Sequence, residues 1–357
     1  MKVAIISPYL DTLGGGERYL MTAAQIISQE NKVDVLLNKH LFSLNVEKLK
    51  KDLEQRFNLN LEKVKFIEAP VGKGSSAFKR FLFLKQYDLL IYLTDGSIFY
   101  PFAKRNILHI QSPLIGQPAK GLWGKIKLKG WDMIIYNSKF TQNNSLKNWP
   151  ITSTVIYPPV DVKNIKPLKK KNYILSVGRF FGYLKDKKQE LLIQAFEQIY
   201  KLGKINSWSL HLAGSASEGD KQYLSDLEKM SVGLPIKFYP NIHYQDLVKL
   251  YGESSIYWHA AGYGESEPTK MEHFGISVVE AMAGGCIPLV VNKGGLVEIV
   301  QDNISGMLWL DINDLKMKTI KLISDLELQE KISQSATERA RNFSKDKFEK
   351  ALLEIVK

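Results

Sequence analysis

Short apolar runs alternate with stretches of helical periodicity along the whole chain. In the first half, the runs that predict strands are 3–7, 33–37, 65–68, 88–93, 107–110, 133–136 and 153–157, with helices such as 16–29 between several of them. In the second half, the predicted strands are 173–177, 209–213, 237–239, 256–259 and 287–291, and the predicted helices are 187–200, 223–230, 246–253 and 274–283. Strands that alternate with helices are typical of parallel sheets with crossover helices. The pattern therefore predicts an α/β protein with two doubly wound parallel sheets.

The alternation breaks at Pro158-Pro159, and a basic, proline-containing stretch follows it. Proline fixes its φ angle and donates no backbone N–H, so such a stretch favours a linker. A chain of 357 residues is also too long for one ordinary core. We predict a first domain over 1–157, a linker over 158–171 and a second domain over 172–340. For 341–357 the pattern predicts a helix capped by Ser344, which either completes the second domain or packs back on the first.

The net charge of +12 lies mostly in the first half of the chain. Two of its segments interleave basic and apolar residues: one is 78–85, and the other contains Lys120, Lys125, Lys127 and Lys129 around Trp123. Such segments favour anionic membrane surfaces, although a solvated lysine-rich surface fits the pattern equally well. Nucleic acid is disfavoured, because no zinc, RNP-type or helix-turn-helix signature accompanies the charge.

The cysteine and hydropathy patterns exclude several classes of protein. The single cysteine, Cys286, excludes an internal disulfide and a cysteine cluster for zinc. No apolar run approaches the 18 or more residues of a membrane span, and no charged-then-apolar leader opens the sequence. We expect a cytoplasmic protein, either soluble or peripheral at the inner face of the cell membrane.

Two carboxylates, Glu272 and Glu280, lie eight positions apart around the start of a predicted helix. The first precedes the helix, where free backbone N–H groups and the positive dipole end can hold an anion, and the second is expected about two turns inside. The pair would then bracket an elongated ligand. The alternative is a surface helix with one solvated and one capping glutamate.

Other segments accompany this pair. Arg179 follows a predicted strand, Lys187 begins the next helix, and Gly15 and Gly16 belong to a glycine run that opens a helix after the first strand. A dinucleotide fingerprint would need glycine at Tyr19, so a nicotinamide site is disfavoured. A Walker-type site is disfavoured too, because its lysine position in 214–221 holds an aspartate.

Taken in order, these segments resemble the retaining glycosyltransferases of family 4, which have the two-domain GT-B fold, over nearly the whole chain. The resemblance implies that Arg179 and Lys187 hold the donor diphosphate, although the loop between them departs from the common pattern and Lys188 or Lys185 could replace Lys187. It implies further that Glu272 contacts hydroxyls of the donor sugar.

The resemblance also assigns roles around the rest of the ligand. Glu280 would accept hydrogen bonds from the ribose, and the backbone of Phe274 and Gly275 would face the diphosphate or the sugar. In the first domain, the resemblance implies that His109 lies near the donor sugar. The glycine run has no side chains, so its backbone can approach a phosphate or sugar closely. His109 could equally be a satisfied structural residue, and His259 is expected to be a pocket-wall or core residue.

The reaction so implied is transfer of a hexosyl-type unit from a UDP- or GDP-sugar to a hydroxyl of a glycan or lipid-linked acceptor, with retention, in a cleft between the two domains. No nucleophile emerges from the sequence, and no essential metal or other cofactor is expected, because two fixed cations can neutralise a departing diphosphate. The expected partners are the nucleotide sugar, the acceptor and an anionic membrane surface, with no nucleic acid. The alternative is a non-catalytic nucleotide-sugar-binding or membrane-surface scaffold protein.

Overall fold

The computed structural model describes residues 1–72, 74–116 and 121–357, so Lys120 of the basic stretch lies outside the described residues. The described residues divide into two compact units. One contains Met1–Pro159 together with Asp346–Lys357, and the other contains Val160–Lys345.

The first unit is a parallel α/β unit. Its elements are β1 (Lys2–Ile6), α1 (Gly15–Ile27), β2 (Lys32–Leu37), α2 (Lys39–Ser43), α3 (Val46–Phe57), β3 (Val64–Glu68), α4 (Ala77–Leu84), β4 (Leu89–Leu93), β5 (Arg105–Ile110), α5 (Gly121–Lys129), β6 (Met133–Tyr136), α6 (Lys139–Ser145) and β7 (Ser153–Val155). Within the described residues the sheet has seven strands in the order β3-β2-β1-β4-β5-β6-β7. The order reverses between β1 and β4, which makes the sheet doubly wound.

Successive residues of strand β1 contribute to two separate cores of this unit. Val3 and Ile5 belong to one buried cluster, and Ala4 and Ile6 belong to another. Side chains alternate between the faces of a strand, so both faces of the sheet are covered. This is why the strands read as continuous apolar runs in the sequence.

The second unit repeats this architecture. Its elements are β8 (Lys171–Val177), α7 (Gln189–Lys201), β9 (Ser209–Gly214), α8 (Lys221–Met230), β10 (Ile236–Pro240), α9 (Tyr244–Glu253), β11 (Ser254–His259), α10 (Ile276–Ala283), β12 (Ile287–Val291), α11 (Leu296–Ile299), β13 (Met307–Trp309), α12 (Ile312–Ser324) and α13 (Leu326–Ala340). Within the described residues its sheet has six parallel strands in the order β10-β9-β8-β11-β12-β13. The prediction of two doubly wound parallel sheets is therefore confirmed, while the short β13 was not predicted.

The last helix, α14 (Lys345–Val356), contributes to the core of the first unit. Phe348, Leu352 and Val356 are buried in the same cluster as β1 and α1, and the Phe348 ring meets the Tyr19 ring edge-on at 4.8 Å between centroids. Full burial of such side chains stabilises by about 1.5–3 kcal/mol each. The apolar stripe seen in the sequence therefore anchors this helix on the first unit.

No helix among the residues that the structure describes has the length and apolar character needed to cross a lipid bilayer.

Candidate functional site

The loops that follow β8 and β9 touch at the carboxyl edge of the second sheet. A Cβ atom built on Gly214, at the end of β9, would lie only 2.0 Å from the carbonyl oxygen of Gly178. A Cβ on Gly178 would lie 2.7 Å from Cγ of Lys187. A side chain at position 214 would clash with the backbone, and one at position 178 would force the aliphatic stem of Lys187 to shift. The stem of Lys187 therefore lies against the backbone at the end of β8.

Lys187 reaches the first carboxylate of the predicted pair. Its ammonium donates to Oε2 of Glu272 at 2.7 Å and lies 3.8 Å from Oδ2 of Asp186. Nε2 of the buried His259 contacts the same Glu272 oxygen at 3.1 Å. The structure thus brings Lys187 and Glu272, 85 positions apart in sequence, into direct contact.

Both members of this ion pair are held in their charged forms. Burial acts to raise the pKa of Glu272, but the attraction of Lys187 and the bond to His259 outweigh it and hold that pKa well below 4.5. Burial likewise acts to lower the pKa of Lys187, but Glu272 and then Asp186 outweigh it and raise that pKa. The site therefore carries fixed charges near neutral pH.

A second cation, Arg179, lies at the same strand end. Its guanidinium is exposed and lies 5.5 Å from the centre of the Phe181 ring. Its charge acts to lower the pKa of Lys187 and contributes to the lowered pKa of Asp220, which hydrogen bonds from Ser217 chiefly cause. Arg179 therefore adds an exposed positive charge at the end of β8, which suits an anion.

The neighbouring lysines are engaged elsewhere. The ammonium of Lys185 binds Glu190 at 2.8 Å, and that of Lys188 binds Glu265 at 2.7 Å. The bond to Lys188 chiefly lowers the pKa of Glu265. Of the lysines that the sequence left open, Lys187 is therefore the one placed against Glu272.

The backbone around Glu272 is fixed by a close crossing with the loop after β12. The N–H of Gly295 donates to the carbonyl of Glu272 at 2.7 Å, and a Cβ on Gly295 would lie 2.2 Å from the carbonyl oxygen of His273. Gly294 has a φ of 65°, and a Cβ there would lie 2.3 Å from the Glu272 carbonyl oxygen. The two glycines are therefore required for the position of Glu272.

The helix between the two glutamates begins later than predicted. Gly275 has a φ of 111°, in the left-handed region, and α10 begins only at Ile276. Glu280 consequently lies about one turn inside α10 and not two turns, which corrects the sequence prediction. The Phe274 side chain is buried and packs edge-on against Phe343 at 5.5 Å, so its backbone is what remains for a ligand.

Glu280 is held inside the second unit, with the hydroxyl of Tyr251 donating to its Oε2 at 3.1 Å. Burial raises the pKa of Tyr251 well above its usual value, with the Glu280 charge adding to the shift. Tyr251 therefore remains a hydrogen-bond donor to this carboxylate.

The contact from His259 to Glu272 was missed by the sequence analysis. Its signal was its place as the last residue of β11, because the carboxyl ends of neighbouring parallel strands meet at one edge of a sheet. A second contact that the sequence analysis missed involves Tyr257, two residues earlier in β11. The Tyr257 hydroxyl lies 2.8 Å from Oγ of Ser277 and ties β11 to the first turn of α10.

His109 belongs to the first unit, near the end of β5. It is 1% exposed, stacks on Tyr19 at 4.0 Å, and its Nδ1 lies 3.1 Å from the carbonyl oxygen of Ile135. Because a carbonyl only accepts, Nδ1 carries the proton. Burial lowers the pKa of His109 to about 4, and its Nε2 has no hydrogen-bond partner among the described residues. His109 is therefore a neutral imidazole with an unpaired buried acceptor.

The glycine run at the start of α1 is braced by side chains of its own unit. Oε2 of Glu17 accepts from the N–H of Gly14 at 2.8 Å, and a Cβ on Gly16 would lie 2.1 Å from Oε1 of Gln111. Gly15 is exposed, whereas Gly16 is buried. The buried carboxylate of Glu17, which the sequence analysis did not single out, thus takes up part of the anion-binding capacity of this helix start.

Among the described residues, no group of three or more His, Cys, Asp or Glu side chains is placed to hold a metal ion.

Comparisons with known proteins show the family and the fold of the chain. The sequence model of the family described as Glycosyl transferases group 1 matches residues 160–339, half of the chain. The chain is 30% identical over 247 residues to the GDP-Man:Man(3)GlcNAc(2)-PP-Dol alpha-1,2-mannosyltransferase of Homo sapiens, covering 63% of this chain and 48% of that protein. It is 25% identical over 365 residues to the Alpha-1,3/1,6-mannosyltransferase ALG2 of Candida glabrata, covering 84% and 78%. The chain spans only between 36% and 48% of the length of the first curated relatives that it matches.

Solved structures share the whole fold. A glycosyltransferase from Rickettsia africae ESF-5 superposes with a TM-score of 0.75 at 19% identity, covering 99% of this chain and 97% of the other. Anabaena Alr3699/HepE in complex with UDP and glucose superposes with a TM-score of 0.71 at 18% identity, covering 100% and 99%. These likenesses confirm the predicted GT-B fold. With half of its residues matched by that family, the chain belongs to the group 1 glycosyltransferases.

Proposed function

We propose that this protein transfers a hexosyl unit, with retention, from a nucleoside-diphosphate sugar to a hydroxyl of a glycan or lipid-linked acceptor. The observation that carries the proposal is the ion pair of Lys187 with Glu272 at the carboxyl edge of the second sheet, where Arg179 follows β8. An enzyme of this kind needs fixed positive charge at the leaving group and acceptor oxygens at the sugar.

Arg179 and Lys187 bind the diphosphate and stabilise the charge that develops as its bond to the sugar breaks. The ion pair with Glu272 keeps Lys187 protonated, and each ammonium has three donors, so Lys187 can serve Glu272 and a phosphate oxygen together. Because the two cations supply the charge stabilisation, we propose a reaction without an essential metal or other cofactor.

Glu272 accepts hydrogen bonds from hydroxyls of the donor sugar, and Glu280 accepts from the ribose. Tyr251 orients Glu280 for this contact. The backbone of Phe274 and Gly275 faces the diphosphate or the sugar. Because α10 begins directly after Gly275, its first backbone N–H groups have no partner within the helix.

In the first unit, we assign His109 to a sugar hydroxyl. Its neutral Nε2 can only accept, so it suits an O–H donor and not an anion. Gly15 and Gly16 give the donor sugar or its phosphate a side-chain-free backbone.

The chemical step that we propose uses no protein nucleophile. The bond between the anomeric carbon and the diphosphate oxygen breaks, the acceptor oxygen bonds to the same face of that carbon, and the acceptor proton passes to the departing phosphate oxygen. The protein's contribution is positioning and charge stabilisation.

The names of the relatives favour a mannosyl unit from GDP-mannose and a lipid-linked oligosaccharide acceptor. A UDP-sugar is the alternative donor, as in the Anabaena neighbour. A lipid-linked acceptor would also place the protein at the inner face of the cell membrane, with an anionic lipid surface as its partner.

Calorimetric titration with GDP-, UDP- and ADP-sugars in the presence of EDTA tests the donor proposal. We expect one nucleotide class to bind with a dissociation constant between about 1 μM and 1 mM, and to be turned over with lipid-linked acceptors. Binding without turnover across a broad donor and acceptor panel would instead support the non-catalytic alternative. Absence of binding by all three classes would refute the proposed site.

A further inference from the structure

Two segments of the first unit contain basic residues and no acidic ones. The 19 residues from Ala69 to Tyr87 hold four Lys and Arg, and the 33 residues from Phe99 to Trp131 hold six, with no Asp or Glu in either. In a chain with 37 acidic residues, their absence from both segments concentrates positive charge there.

The structure joins these two segments. The Phe102 ring lies 5.1 Å from the Phe81 ring of α4 and 5.2 Å from the Tyr100 ring. A Cβ built on Gly130, directly after α5, would lie 2.7 Å from Cδ of Pro101 and 3.3 Å from the Tyr100 ring. Residues 99–102 therefore border both α4 and the end of α5, and we call the exposed face of these three segments the basic apolar surface.

Large apolar side chains stand out from this surface. Trp123 and Leu122 of α5 are 75% and 73% exposed, and Phe78 and Leu82 of α4 are 67% and 45% exposed. Single exposed apolar residues are ordinary, but several on one surface mark a contact site. Exposed lysines stand beside them, namely Lys79, Lys85, Lys125 and Lys129.

This combination favours a lipid surface over the other anionic partners. Lysines alone would serve a nucleic acid, which offers nothing for exposed leucine side chains. A bilayer interface accepts both groups at once, because tryptophan and phenylalanine enter the headgroup region while ammonium groups meet lipid phosphates.

We propose that the basic apolar surface docks the protein on an anionic membrane, with Trp123 and Phe78 inserted among the headgroups. The inference rests on the proposed function, because a lipid-linked acceptor has to be reached at such a membrane. The proposed contact is the insertion of single side chains from the surface. It is not a membrane-spanning contact, because α4 and α5 have only eight and nine residues.

Vesicle flotation of the full chain tests this docking. We expect binding to phosphatidylcholine vesicles that contain about one-third phosphatidylglycerol, and at least tenfold weaker binding to pure phosphatidylcholine. Each lysine near an anionic surface contributes about fivefold to binding. The triple variant K125Q/K127Q/K129Q should therefore bind the anionic vesicles more weakly by at least tenfold. Trp123→Ala should weaken binding to the same vesicles without removing their advantage over neutral ones.

Matched controls lie on the same unit. Phe42→Ala removes an aromatic side chain of α2 that is 41% exposed, and K48Q/K51Q neutralises two exposed lysines of α3. Both should float like the wild type. Failure of the wild type to float, or equal losses in the controls, would overturn the docking proposal.

Donor titrations separate this inference from the proposed function. All of these variants should keep the nucleotide-sugar affinity of the wild type, because the donor residues of the second unit are untouched. Flotation without any donor binding would support the docking surface and refute the proposed function. Donor binding without flotation would support the proposed donor site and refute the docking surface.

Discussion

Replacement of Lys187 by methionine should weaken donor binding by more than its loss of stability explains, and Lys188 provides a matched control. The Lys187–Glu272 and Lys188–Glu265 pairs have the same 2.7 Å separation. Their side chains are 22% and 18% exposed in the first pair, and 26% and 25% in the second. The two lysines are adjacent in sequence, so Lys187→Met and Lys188→Met are nearly equal perturbations of the fold.

The expected loss of stability can be bounded from these exposures. Breaking a fully buried ion pair costs about 3–5 kcal/mol, and an exposed pair contributes about 0–1 kcal/mol. Pairs about a fifth to a quarter exposed lie between these limits, so each variant should lose about 2 kcal/mol. For a unit of this size, that loss corresponds to a melting temperature lower by about 4–8 °C.

The expected loss of donor binding differs sharply between the two variants. A hydrogen bond to a charged group contributes about 1.5–3 kcal/mol, so Lys187→Met should weaken nucleoside-diphosphate binding by about ten- to 150-fold. Turnover should fall by at least tenfold, because the same ammonium stabilises the leaving group. Lys188→Met should change affinity by less than about threefold.

Scanning calorimetry and isothermal titration with GDP and UDP measure both quantities on the same samples. Equal losses of affinity in the two variants would mean that damage to the loop, and not the Lys187 charge, is responsible. Unchanged affinity in Lys187→Met would remove Lys187 from the diphosphate site.

Three further outcomes follow from the same geometry. The pKa of Glu272, which burial would raise, is held well below 4.5 by Lys187 and His259, so its contribution to stability is complete above pH 4.5 and is lost as the pH falls through the lowered pKa. In urea unfolding from about pH 6 to about pH 3, Glu272→Gln should lose less stability than the wild type, and parallel profiles would contradict the ion pair. Gly295→Ala should abolish donor binding, because its Cβ would lie 2.2 Å from a carbonyl oxygen, whereas Gly219→Ala, with its nearest contact at 3.7 Å, should not. Burial lowers the pKa of His109 from 6.5 to about 4, so as the pH decreases the unfolded chain binds the extra proton before the folded chain does. The free energy of unfolding should therefore fall by up to about 3 kcal/mol as the pH decreases from 6.5 to about 4. NMR should find His109 neutral and protonated on Nδ1 at neutral pH, and a charged ring there would refute this assignment.

The sequence predicted the elements that are determined locally. Strands such as 107–110 and 287–291 are buried on both faces and read as apolar runs, so their positions agree with the structure to within about two residues. The resemblance to family 4 implied that Arg179 and Lys187 lie near Glu272, and their places beside the carboxyl ends of parallel strands, which meet at one edge, fit that expectation.

The features that the sequence did not predict depend on distant contacts. The three residues of β13 are recognisable as a strand only through their pairing with β12. The start of α10 is set by the left-handed φ of Gly275, where a Cβ would lie 2.9 Å from Leu296. His259 ends a predicted strand, which places it at the edge of the sheet, but the sequence does not show that Glu272 is its partner there.

The glycines that matter most for the ion pair are not those of the glycine run that opens α1, but four others in the second unit. Gly178, Gly214, Gly294 and Gly295 lie where backbone or a lysine stem passes so closely that a Cβ would fall within 2.0–2.7 Å of another atom. They act by small size more than by flexibility, and they bring the loops after three strands into contact. That contact is what lets the Lys187 ammonium reach Glu272. A chain that kept the charged residues but carried alanine at these positions would therefore retain the charges without the geometry that makes them a site.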